Sequence, residues 1–291
     1  MSAKRPAAAA APKKAGGVSG DAGEALLLSD STRYAELEKM LLRESRLPGP
    51  RGNLELAARF AEAAGRQASD PLWRLLESWL ALSPEQAPVN DPREFLPFCA
   101  LLAAAETWAG HKSRRRAIAA QVRVAANDPR WRLREGVAQA LQRIGYADPQ
   151  GMRGLIAALA SGRPTLLELR AIVAALADPP LLGDPENVAL ALDRAEAILA
   201  SVAATGAAER KSCAFKALEQ GLSYALSVFV AQAPQPGFAL LRRWATCGDA
   251  NIKRILEHNL GKARLTRRFP MEIARVRDAL ADTQHTQGRK K

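Results

Sequence analysis

The stretch "NDPRWRLREGVAQALQRIG", residues 127–145, sets Trp131 and Glu135 one turn apart among Arg130, Arg132 and Arg134. At i and i+4 of an α-helix the two side chains share a face. An aromatic face attracts a cation, by roughly 0.5–2 kcal/mol, and a carboxylate stabilises positive charge that develops beside it. The same residues also suit a plainer arrangement. Trp131 could anchor a core between helices, and Glu135 could pair with Arg132 or complement the dipole of the first turn. Leu133, Val137, Leu141 and Ile144 already supply the apolar stripe of this helix. Positions 131 and 135 lie about 125° and 165° from the centre of that stripe at 3.6 residues per turn. An outward-facing pair is therefore geometrically open, and it is the arrangement we expect, with Trp131 and Glu135 as the candidate catalytic residues.

Other chemistry finds little to use. The chain has no Gly-rich phosphate loop, no HExxH and no Cys/His ligand spacing, so neither a metal nor a cofactor is expected. His111, His258 and His285 are isolated. Aromatic residues, at 5%, are too sparse for a stacking platform along a single strand. Cys99, Cys213 and Cys247, an odd number at unrelated spacings, fit a reducing cytoplasm better than a disulfide framework.

Charge points to a partner class. A net charge of +12 makes an acidic polymer the natural partner, although wholesale use of Arg in place of Lys would give the same total. Two clusters stand out as candidate DNA-binding residues: Lys112, Arg115, Arg116, Arg123, Arg132 and Arg134, then Lys253, Arg254, Lys262, Arg264, Arg267 and Arg268. Between them, residues 178–196 are acidic. Arg donates to phosphate in pairs through its planar fork, so clusters lining one surface would hold duplex DNA by its backbone. Charge reversal at Arg116, Arg123 and Arg132 should then weaken binding more than reversal at Arg33. The rivals are solvated faces that point apart, or a protein-interaction scaffold with an acidic protein partner.

These side chains must be positioned by helices. Ala, Leu, Arg and Glu dominate, and no segment alternates apolar and polar residues long enough for a strand. Asp-Pro recurs at 70–71, 91–92, 128–129, 148–149, 178–179 and 184–185. Asp as N-cap with Pro in the first turn is a sound helix start, because Pro has no amide to leave orphaned. Helices are expected near 92–109, 113–126, 129–144, 208–231 and 249–260, among others. Starts about 20 residues apart favour an all-α fold, an α-solenoid of degenerate HEAT-like repeats over residues 30–282. Residues 1–24 read as a disordered basic tail and 283–291 as a flexible basic one. No apolar run reaches the roughly 20 residues of a membrane span. A cytoplasmic protein is expected, nucleoid-associated if it binds DNA.

Two stretches carry a resemblance. "DPRWRLREGVAQALQRIG" (128–145) and "DANIKRILEHNLGKARLTRR" (249–268) are similar to segments of the HEAT-like DNA alkylation repair family, the AlkD/AlkC-type DNA glycosylases. The resemblance implies a C-shaped solenoid holding duplex DNA in a basic groove, and excision of cationic alkylated bases. It also implies an active site pairing Trp with a carboxylate, matched here by Trp131 and Glu135. Cleaving a glycosidic bond builds an oxocarbenium-like sugar that a carboxylate stabilises. The chain departs from the AlkD branch in having Glu135 where that branch has Asp. Trp244 also follows Arg242 and Arg243 instead of preceding paired arginines.

Overall fold

The computed structural model describes residues 27–288, with side chains to residue 282. The expected tail at 1–24 and the last three residues lie outside the described residues. Within them every regular element is helical. In chain order these are α1 (Tyr34–Glu44), α2 (Leu54–Gln67), α3 (Asp70–Leu80), α4 (Phe95–Glu106), α5 (Arg115–Ala126), α6 (Trp131–Ala147) and α7 (Pro149–Leu159). They continue with α8 (Leu166–Leu176), α9 (Pro185–Ala204), α10 (Cys213–Gln232), α11 (Pro234–Ala245), α12 (Ala250–Leu260), α13 (Ala263–Thr266) and α14 (Pro270–Gly288). The last helix therefore runs past residue 283, where a flexible tail was expected.

Helix starts show which local signals the chain uses. Asp148 and Asp184 cap α7 and α9 as their Asp-Pro pairs predict, accepting from the amides of Gly151 and Glu186 at 2.9 Å each. Thr165 and Glu168 form a reciprocal capping box on α8. Three Asp-Pro pairs behave otherwise, Asp178 accepting from the Tyr146 hydroxyl instead of capping a helix. Ser69, not Asp70, caps α3. Asp128 bonds no amide within α6; its carboxylate accepts the Arg130 amide at 2.7 Å and grips the Arg130 guanidinium with both oxygens, at 2.8 and 2.7 Å, and both side chains are buried. With its carboxylate committed there, α6 begins at Trp131 rather than at residue 129.

Packing follows an alternating pattern. Helices α2, α4, α6, α8, α10 and α12 each lie against the next in that series, forming one row. The intervening helices pack against this row: α5 and α7 against α6, α9 between α8 and α10, and α11 between α10 and α14. Among the described residues, most of the buried apolar side chains join in one core. Helix α4 is its pillar, with every residue from Phe95 to Ala105 buried, as expected for a helix apolar on all sides. Helix α6 approaches it closely through Gly136, where a Cβ would stand 3.0 Å from Phe98 Cδ2.

Candidate functional site

The apolar stripe of α6 turns its opposite face outward. Leu133, Val137, Leu141 and Ile144 are buried, whereas Trp131 is 42% exposed and the Glu135 side chain 47%. Trp131, Glu135, Gln139, Gln142 and Tyr146 follow one another along this face and border three adjoining hollows.

The first hollow, of about 680 Å³, spans α6, α8 and α10. Its bottom is α8, kept low by Ala174. Its walls are the Trp131–Gln142 face of α6 and the Gln220–Gly221–Tyr224 face of α10. Arg170 rises from α8 between them, donating to the Glu135 carboxylate through Nη2 and to the Arg134 carbonyl at 3.0 Å through Nη1. Arg134 lines the same hollow and is tied to the carbonyls of Asp128 and Pro129 at 2.6 and 2.9 Å. Burial first, and the neighbouring Arg170 second, pull the Arg134 pKa below its ordinary value. Two guanidiniums held this close repel, and an anion placed between them would relieve that repulsion. On the far wall the Arg264 guanidinium lies 4.6 Å over the Tyr224 ring, and Tyr224 is itself exposed.

The second hollow, of about 490 Å³, holds Glu62 and an Arg143–Glu106 ion pair. Desolvation, together with the hydrogen bond it donates to Asp178, pushes the Tyr146 phenol there up to about 12. Tyr146 is thus a neutral donor near pH 7, not a base. The third hollow, of about 360 Å³, is mostly apolar and adjoins the first across Trp131 and Glu135. Among the described residues no group of His, Cys, Asp and Glu is arranged to hold a metal ion, and no helix is long and apolar enough to cross a membrane.

The expected DNA-binding residues divide sharply. Arg134 lines the first hollow; Arg264 does not, although its guanidinium lies over the ring of Tyr224, which does. Arg132, expected to face phosphate, is instead buried: it pairs with the fully buried Glu94 at 2.9 Å, donates to Gly49 O at 2.6 Å, and carries the Trp131 ring 4.4 Å from its guanidinium carbon. Arg123 is engaged with Glu168 and the Ala158 carbonyl. Arg115 stacks on Trp108 and pairs with Asp148 at 3.1 Å. Arg254 pairs with Glu219 at 2.8 Å and Lys253 with Glu257 at 3.7 Å, while Arg268 lies over Phe269. Lys112, Arg116 and Arg267 are exposed and Lys262 is half-buried, but none of the four lines these hollows. Of the continuous basic lining expected from the two clusters, only Arg134 lines the hollow, with Arg264 beside it on Tyr224.

Two residues of the first hollow escaped the sequence reading, Arg170 and Tyr224. The visible signal for Arg170 was a single cation inside "LLELRAIVAAL", a helix otherwise apolar apart from Glu168. Nothing in the sequence singles out Tyr224. No family model matches the chain, and no curated protein matches it either.

Proposed function

We propose that the row of helices and those packed against it form a HEAT-like α-solenoid and that the first hollow is part of a groove for duplex DNA. One observation carries the reading. Exposed Trp131 and Tyr224 and the cations Arg134 and Arg170 line one concavity from separate elements of the chain, and Arg264 stands beside it on the Tyr224 ring. Cations at separate points along a groove suit a repeating phosphate backbone, and exposed rings beside them suit bases or sugars. With three arginines on phosphate, log affinity should fall against log salt with a slope of about −3, since each neutralised phosphate contributes about −0.9. Fluorescence anisotropy on a labelled duplex measures that slope. Arg264→Glu should flatten it by about 1, and Arg116→Glu should leave it alone. Equal effects of the two reversals would refute the groove.

The finer reading is a glycosylase-like reaction on cationic alkylated bases, with Glu135 stabilising the positive sugar. In the free protein Arg170 engages Glu135. A phosphate that draws Arg170 away would leave the carboxylate open to the sugar. Release of a methylated purine by wild type but not by Glu135→Gln is the expected outcome; no release by wild type would leave a DNA-binding protein without this chemistry. The pairing of Arg115, Arg123, Arg132 and Arg254 with carboxylates favours a second reading. The free positive charge is smaller than the composition suggests, and a scaffold for an acidic protein would need no more. Recovery of an acidic protein and no nucleic acid in a pull-down would support that reading.

A further inference from the structure

Two arginines share the first hollow, and each is held from behind by protein oxygens. Arg170 donates to the Glu135 carboxylate and the Arg134 carbonyl, and Arg134 to the carbonyls of Asp128 and Pro129. Those bonds use both Nη atoms of Arg170 and Nη1 of Arg134. Arg170 Nε and Arg134 Nε and Nη2 make no hydrogen bond within the protein, and none of the three is closed off from solvent. Glu135 is the only acid lining the hollow, and it is engaged with Arg170. Arg134 is paired with no carboxylate, so one of the two positive charges stands without a counter-charge. The rest of the lining is uncharged, and its volume of about 680 Å³ is that of a ligand pocket.

From this we infer that the first hollow takes one phosphomonoester group, gripped by Arg134 and Arg170 together, and that the group is the terminal phosphate of a DNA strand. The source of the phosphate rests on the DNA reading above, to which the inference adds which phosphate enters. A diester within a continuous strand carries a single charge and is tethered on both sides, so a duplex lying across the hollow keeps its phosphates at the rim. A monoester carries close to two negative charges at neutral pH and three strong acceptor oxygens. Tethered on one side only, it can be lowered between the walls. Its charge matches the two guanidiniums, and its oxygens match the accessible nitrogens that have no partner. Charge-assisted bonds of this kind are the strong ones. Burial first, and Arg170 second, hold the Arg134 pKa down, and an anion between the two guanidiniums offsets both effects. The exposed rings of Trp131 and Tyr224 line the same space and offer faces to the terminal nucleoside.

The test uses the full chain and two pairs of ligands. By anisotropy, a duplex with a nick that ends in a phosphate is compared with the same nick ending in a hydroxyl. By calorimetry, thymidine monophosphate is compared with thymidine. Wild type should bind the phosphorylated nick at least about tenfold more tightly, the gain of one charge-assisted hydrogen bond or more. It should bind the nucleotide and not the nucleoside. Arg170→Gln should abolish both differences, and Arg116→Gln, at an exposed position away from the hollow, should leave both within about twofold of wild type. Glu135→Gln covers the case in which Arg170→Gln fails to fold. It frees Arg170 and should tighten the nucleotide several-fold, a gain that a damaged fold does not produce. Nucleotide binding that Arg170→Gln abolishes, with no preference between the nicks, would keep the monoester site and overturn the strand end as its source. Equal binding of the two nicks with no binding of the nucleotide would overturn the site and leave the groove intact. Nucleotide held through Arg170 with no binding of any duplex would remove the groove and keep the site.

Discussion

Arg170 of α8 reaches across to α6: one guanidinium nitrogen donates to the Glu135 carboxylate and the other to the Arg134 carbonyl at 3.0 Å. The carboxylate of the candidate site thus competes with any incoming anion for the cation nearest to it. Glu135→Gln removes the competitor and one negative charge from the hollow. Duplex DNA should bind the variant several-fold more tightly at low salt, by anisotropy, with the gain shrinking as salt screens it. Weaker binding by the variant would mean that Glu135 positions Arg170 more than it restrains it.

Arg132 has a structural task, and its removal should be felt in folding. Arg132→Ala leaves Glu94, fully buried, without its guanidinium. Breaking a buried pair from one side costs about 3–5 kcal/mol, so the urea midpoint should fall substantially. The salt slope of DNA binding, measured where the variant is still folded, should match wild type.

Helices α10 and α11 touch through a glycine. A Cβ on Gly237 would stand 2.7 Å from the Val230 Cα, a backbone atom that moves only with its helix. Gly237→Ala should therefore destabilise by roughly 1–3 kcal/mol despite the better helix propensity of Ala. A neutral or stabilising result in urea would show that α11 shifts freely along α10.

Asp148 ties three groups together: the Gly151 amide it caps, the Trp108 indole N–H at 3.0 Å and Arg115. The amide bond first, then the indole, hold its carboxyl below the usual range. A carboxyl depressed on folding adds stability that is complete above its unfolded value of about 3.9 and is lost as pH falls through the depressed folded value. Asp148→Asn should thus be less stable than wild type at pH 7. The gap should narrow below about pH 4, as chemical denaturation across pH would show.

How much of this was legible depends on the distance over which each residue finds its partner. The outward turn of Trp131 and Glu135 follows from the four apolar residues on the opposite face of one helix, all within 17 residues of sequence. The caps at Asp148 and Asp184 are equally local. Arg132 was misread because its partner Glu94 lies 38 positions earlier, and no periodicity links them. Asp128 was misread because its oxygens close on both the amide and the guanidinium of Arg130, two positions on, and none reaches an amide of α6. Arg170 joins Glu135 from 35 positions away, and Tyr224 is farther still, so the hollow exists only once α6, α8 and α10 stand side by side. Charge clusters in sequence mark where cations are abundant, whereas burial and pairing decide which remain available.

Gln139 borders all three hollows, and Gly136, three residues before it, seats α6 against Phe98. One helix is therefore the party wall of every compartment on this face, and its inner side leaves little room to slide. Changes at Arg170, Tyr224 or Leu54 remodel one compartment and spare its neighbours. A change at Trp131, Glu135 or Gln139 alters at least two at once. Specificity on this surface can drift freely at its edges, but along α6 it can change only when adjoining rooms are refitted together.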